Sequence, residues 1–107
     1  PHACMPDIQR LTTYIIDFCQ KRDWTKNYNA KDLTISLSLH ASDLLEHFQA
    51  HKNNDSGVVS SKEKEEVQDE VADVAIYLFQ LAHFLDIDLS KAIEEKMKKN
   101  TVKYPIE

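Results

Sequence analysis

The sequence predicts an all-α fold, a four-helix bundle. Three observations predict it. Helix breakers are nearly absent, with one glycine (Gly57) and three prolines (Pro1, Pro6, Pro105) in 107 residues. Apolar residues recur at spacings of three and four, not in alternation. Residues that cap helices stand where those periodic runs begin.

The first helix is expected from about Asp7 to Lys21, with Ile8, Leu11, Ile15 and Phe18 on one stripe. The second starts near Ala30 or Asp32 and runs to about His51, its stripe being Leu33, Leu37, Leu44 and Phe48. Asn53-Asn54-Asp55-Ser56-Gly57 reads as a loop by its turn-forming residues. Ser60 followed by Glu63 reads as a capping box that opens the third helix. Val67, Val71, Val74, Leu78, Leu81 and Leu85 then form an apolar seam, expected to be the core of the bundle. Asp88 is the expected N-cap of a fourth helix, from Leu89 to about Lys99, with Asn100 ending it and Pro105 barring continuation. Short connections favour an antiparallel arrangement.

Residues 1–107 make one small domain, with 42% hydrophobic and 29% charged residues. A chain this short buries a limited core, so association or marginal monomer stability follows. The formal net charge of −5 argues against a nucleic-acid polymer as partner. It leaves room for a mononucleotide, whose phosphates a cation and a few lysines neutralise. Cys4 and Cys19 match no zinc or redox spacing, and reduced thiols in a cytoplasmic protein are expected. No apolar run approaches membrane-spanning length and no signal peptide is visible. Pro1-His2-Ala3-Cys4 lacks an initiator methionine and reads as a remnant, with Met5 as the natural start.

Chemistry is suggested by acidic residues on two consecutive helices. Asp43 and Glu46 are three apart on the second helix, and Glu70 and Asp73 are three apart on the third. Carboxylates at that spacing lie on one side of a helix, one turn from each other. Two such pairs on facing helices suit a hard cation such as Mg²⁺, which takes oxygen ligands. Mg²⁺ in turn suggests phosphate chemistry. Glu66, Glu70, Asp73 and Tyr77 share a stripe beside the apolar seam, and Ser36, His40, Asp43 and His47 share one on the second helix. Both stripes also read as ordinary amphipathic borders, and periodicity alone leaves the choice open. His40, Asp43, His47 and His51 allow a separate Zn²⁺ or Ni²⁺ reading, although one helix rarely supplies a whole site. His47 otherwise reads as a surface or interface histidine, and His83 as structural.

At these residues the sequence resembles the all-α nucleoside triphosphate pyrophosphohydrolases, the MazG-like group, and within it the dCTP pyrophosphatase-like branch. The resemblance runs from Ile8 to Pro105. It rests on Arg22-Asp23-Trp24, on the acidic helix from Leu33 to Gln49, and on Glu70-Val-Ala-Asp73-Val-Ala-Ile-Tyr77. Asp86-Ile-Asp88-Leu89, Lys96-Met-Lys-Lys-Asn100 and Lys103-Tyr104-Pro105 complete it. It implies a four-helix fold that dimerises, often into a tetramer. It implies metal-dependent hydrolysis of a (deoxy)nucleoside triphosphate to the monophosphate and pyrophosphate, with Mg²⁺ as cofactor and Mn²⁺ as the alternative. By the same resemblance Asp43, Glu70 and Asp73 are metal ligands, and the fourth ligand falls at His40. Glu46 is then the residue that orients or deprotonates the attacking water. Lys96, Asn100 and Lys103 become phosphate contacts, although lysines in a last helical turn also suit the helix dipole. Trp24 and Tyr77 would line the base pocket, where stacking is worth roughly 1–3 kcal/mol per base.

Two departures from the pattern bear on activity. His40 stands where the family typically has Glu, and Ala50 where it often has Trp. Imidazole is a poor ligand for Mg²⁺, so a softer metal, a weaker site or lost turnover follows. Three functions remain in competition: a house-cleaning pyrophosphohydrolase, a nucleotide-binding relative without turnover, and a helical assembly with no ligand.

Overall fold

The structure is a computed structural model in which residues 7–49 and 60–106 are described. It has four helices, α1 (Asp7–Lys21), α2 (Ala30–Gln49), α3 (Ser61–Phe84) and α4 (Leu89–Lys103), and no strand among the described residues. The reading of the first residues as a remnant, the loop at Asn53–Gly57, and the positions of Cys4, Ala50 and His51 lie outside the described residues. No described helix is long and apolar enough to cross a membrane.

Local chemistry sets the helix ends. Asn29 caps α2, its Oδ1 accepting from the Asp32 N–H at 2.8 Å, which places the start at Ala30. Ser60 Oγ accepts from the Glu63 N–H at 3.2 Å, and Asp88 Oδ1 from the Lys91 N–H at 3.1 Å, as the sequence predicts for α3 and α4. The end of α4 differs from expectation. Asn100 does not terminate it; its carbonyl accepts the Tyr104 N–H at 2.8 Å and the helix continues to Lys103. Asparagine is only a weak breaker inside a helix, and Pro105 supplies the real stop.

Helices α1 and α3 end in the same motif. The Trp24 N–H bonds the Cys19 carbonyl and the Asp23 N–H bonds the Gln20 carbonyl, both at 3.0 Å. At the end of α3 the Ile87 N–H bonds the Ala82 carbonyl at 2.8 Å and the Asp86 N–H bonds the His83 carbonyl at 3.0 Å. These are Schellman closures, and the left-handed residue is aspartate in both, Asp23 at φ 57° and Asp86 at φ 56°. The apolar clasp that often accompanies the motif joins Trp24 to Phe18, edge to face, with centroids 5.7 Å apart.

Packing is organised on α3. α2 lies along it most extensively, α1 packs beside it, and α4 touches α1. Leu33 (2% exposed), Cys19 and Ala82 are the buried apolar residues among those described, joined by one buried polar residue, Gln80 (3% exposed). The closed core expected along the α3 seam is not formed within the chain. Val71, Leu78 and Leu85 are exposed, as are Leu11, Ile35, Leu39, Ile93 and Met97 on the other helices. The radius of gyration is 16.8 Å, against about 13 Å for a compact chain of this length. The seam fails as a core because α3 turns the polar stripe beside it, Glu70, Asp73, Tyr77 and Gln80, into the groove against its neighbours.

Candidate active site

The polar stripes of α2 and α3 meet across an antiparallel helix pair. His40 Nδ1 lies 3.9 Å from Asp73 Oδ2, and His47 Nε2 lies 3.1 Å from Glu70 Oε2. The register follows from geometry: seven residues on α2 are two helical turns, so His40 and His47 share a face, and Glu70 and Asp73 are one turn apart on the opposing face. His40 also stacks on Tyr77, with centroids 4.8 Å apart and planes inclined by 19°. The imidazole of His40 is thus held between a carboxylate and a phenol ring.

The second pair has an unusual consequence. Although His47 is within ion-pair reach, the contact lacks hydrogen-bond geometry, and Glu70 Oε2 is buried with no hydrogen-bond donor. A buried carboxylate oxygen without a donor is costly unless a cation or donor completes it. His47, read from the sequence as a surface or interface histidine, is half-buried and faces Glu70 within the chain. The stripe Ser36, His40, Asp43 and His47 contained that signal.

The remaining candidates are more dispersed. Asp43 and Glu46 are exposed on α2. Trp24 is 52% exposed at the end of α1, braced by Phe18, over whose ring the Arg22 guanidinium lies 3.6 Å from the centroid. Lys96 is exposed, Asn100 donates to Met97 Sδ at 3.7 Å, and Lys103 lies 5.3 Å from the Tyr104 ring centroid. Among the described residues no hydrogen bond or ion pair links these three to the α2–α3 groove, and α4 packs against α1.

Metal binding can be tested against this arrangement. Among the described residues no three His, Cys, Asp or Glu side chains converge into a group able to hold a metal ion. A protein cage is therefore absent there, but Mg²⁺ seldom uses one: it takes one or two carboxylates and completes its shell with water and substrate phosphates. Glu70, with its unsatisfied oxygen, and Asp73 fit that mode. The imidazoles opposite them shift the donor chemistry toward Mn²⁺ and similar borderline cations.

The carboxylate pair on α3 and the acidic stripe of α2 lie in a stretch with known relatives. The sequence pattern described as the MazG-like family matches residues 35–107. The chain belongs to the MazG-like family. Its relatives include dCTP pyrophosphatase 1 of Mus musculus, 32% identical over 108 residues, and that of Homo sapiens, 33% identical over 107 residues. These alignments cover 99% and 98% of this chain, but 62% and 61% of the relatives. The chain thus spans about three fifths of the length of the curated relatives it matches. The crystal structure of a pyrophosphatase from Archaeoglobus fulgidus superposes with a TM-score of 0.74 at 33% identity, covering 95% of each chain. The MazG-like assignment confirms the resemblance read from the sequence, and the solved neighbour confirms the all-helical fold.

Proposed function

We propose that this MazG-like chain hydrolyses a deoxynucleoside triphosphate to its monophosphate and pyrophosphate, in nucleotide-pool house-cleaning. The observation that carries the reading is the pairing of Glu70 and Asp73 with the imidazoles of α2, with one carboxylate oxygen buried and unsatisfied. The names of the relatives, dCTP pyrophosphatase and pyrophosphatase, support the reaction class.

In this reading Glu70 and Asp73 would hold the divalent cation, with Asp43 and His40 of α2 as the further candidate ligands. When bound, that cation neutralises triphosphate charge and acidifies water. Glu46 orients the water or takes its proton. The water oxygen bonds to the α-phosphorus, the bond from that phosphorus to the bridging oxygen breaks, and pyrophosphate leaves with the electron pair. Tyr77, fixed by its stack on His40, and Trp24 supply the aromatic surfaces for the base. Lys96, Asn100 and Lys103 are assigned to the phosphates. A second copy of the chain completes the fold, because every helix carries exposed apolar residues.

A second reading, nucleotide binding without turnover, is favoured by one feature: His40 is engaged with Asp73 and Tyr77 where the family pattern has a carboxylate. Measuring pyrophosphate and monophosphate from each of the four dNTPs, with Mg²⁺ and Mn²⁺ in parallel, separates the two. Equimolar products support hydrolysis. Saturable nucleotide binding with no product supports the second reading.

A further inference from the structure

Arg22 grips Phe18 in two ways. Its Cζ lies 3.6 Å from the Phe18 ring centroid, and its Nη1 donates to the Phe18 backbone carbonyl at 3.0 Å. The Phe18 ring in turn meets the Trp24 indole edge to face, with planes inclined by 71°. A cation over a ring and an edge-to-face aromatic pair are both attractive and directional. Guanidinium, phenyl and indole therefore form one chain of contacts at the end of α1.

The backbone and the side chain of Trp24 are held separately. Its N–H bonds the Cys19 carbonyl at 3.0 Å, in the closure around left-handed Asp23. Cys19 is buried, and its Sγ–H donates to Gln80 Oε1 of α3 at 3.6 Å, so this backbone is tied to the bundle. The next residue, Thr25, lines a cavity of about 180 Å³ with Tyr28 and Gln80, which sets the closure beside α3. The indole itself is 52% exposed, and the ring that braces it is Phe18. A large side chain that is free on a surface loses rotamer freedom when a ligand stacks on it, and that loss weakens binding. A side chain already held in place loses less.

We infer that Arg22 and Phe18 are positioning residues for substrate binding: they hold the exposed Trp24 indole in one orientation before the nucleotide arrives. The inference rests on the assignment of Trp24 to the base in the hydrolase reading above, and adds to it two residues that act only through Trp24. It accounts for an arginine whose guanidinium is directed onto a phenyl ring and a carbonyl of its own helix. The purely structural alternative is a helix cap, since arginine near a C-terminus bonds the last carbonyls in any case.

Trp24 is the only tryptophan of the chain, so intrinsic tryptophan fluorescence reports on this indole alone. In the unaltered protein without nucleotide, its time-resolved anisotropy is expected to decay with overall tumbling. A decay dominated by fast local motion overturns the inference. Arg22→Met keeps the aliphatic stem and removes the guanidinium, and Phe18→Leu removes the ring. In each, fast local depolarisation is expected to appear, and KM for the dNTPs to rise about 2–10-fold with kcat unchanged. Phe18→Tyr keeps the ring and is expected to behave as the unaltered protein. Folded variants with a rigid indole or an unchanged KM overturn the inference. So does a KM that follows Tm across the three variants, which marks a helix cap only. Should Arg22→Met and Phe18→Leu not fold, the anisotropy of the unaltered protein decides. In a protein that releases no pyrophosphate, dissociation constants from quenching of Trp24 by each dNTP replace KM. Weaker quenching constants in the variants then support the inference while the hydrolase reading fails, and no quenching defeats both. Pyrophosphate release with unchanged KM in Arg22→Met defeats the inference and leaves the hydrolase reading standing.

Discussion

His47 approaches Glu70 to 3.1 Å, Nε2 to Oε2, across the α2–α3 groove without forming a hydrogen bond. The imidazole is close enough to shield the carboxylate from water but leaves its oxygen short of a donor. Such a group gains most from an added cation, and it lies one turn from the second carboxylate of α3, Asp73.

In the proposed reading His40 bears on which metal serves. Replacing it in His40→Glu restores a carboxylate opposite Asp73 and removes a soft donor. Pyrophosphate release by that variant is expected to rise with Mg²⁺ relative to Mn²⁺, read as the ratio of initial rates in the two metals. An unaltered ratio places His40 beyond the reach of the metal.

The proposed second copy would cover apolar residues that the described chain leaves exposed. Light scattering is expected to give a mass at least twice the 12.4 kDa of one chain. Leu39→Glu, on an exposed apolar position of α2, is expected to shift that mass toward the monomer. A monomer mass at every concentration counts against the proposed second copy.

Two helix ends offer stabilising substitutions. Asp23 and Asp86 occupy left-handed backbone that glycine adopts without steric penalty. Asp23→Gly and Asp86→Gly are each expected to stabilise by about 0.5–1 kcal/mol, raising Tm by a few degrees. Thermal unfolding followed by circular dichroism reads the change, and a lower Tm denies that the backbone is under strain there.

Tyr28 gives the chain an alkaline dependence. Burial raises its pKa above the usual 10.0, with Cys19 and Tyr77 adding to the effect. The folded protein keeps the phenolic proton where the unfolded chain releases it, so the associated stability is intact below pH 10.0 and is lost as pH rises through the folded value. Denaturant midpoints of the wild type should fall more steeply than those of Tyr28→Phe in that range. Parallel curves would mean that the phenol titrates alike in both states.

How much of this could be read in the sequence depends on the kind of signal. Ser60 and Asp88 announced their helices because capping is a local interaction, and the start of α1 at Asp7 was equally plain. Asn29 gave the same local signal for α2 but stands among other polar residues, which left the start between Ala30 and Asp32. The seam from Val67 to Leu85 misled because periodicity reports an apolar face and not what covers it; much of that face is open in the single chain. The α3 carboxylates were legible from spacing, whereas the partner of each was not. His47 opposite Glu70 depends on the register between helices, which only tertiary packing sets.

The central claim is that the α3 carboxylates in the α2–α3 groove run the hydrolysis. The most direct measurement compares pyrophosphate release by the wild type with that of Glu70→Gln and Asp73→Asn, substitutions that keep shape and remove charge, with helicity checked by circular dichroism. Each variant is expected to lose about 10²–10³-fold in rate while remaining folded. Folded variants that release pyrophosphate at the wild-type rate would contradict the account.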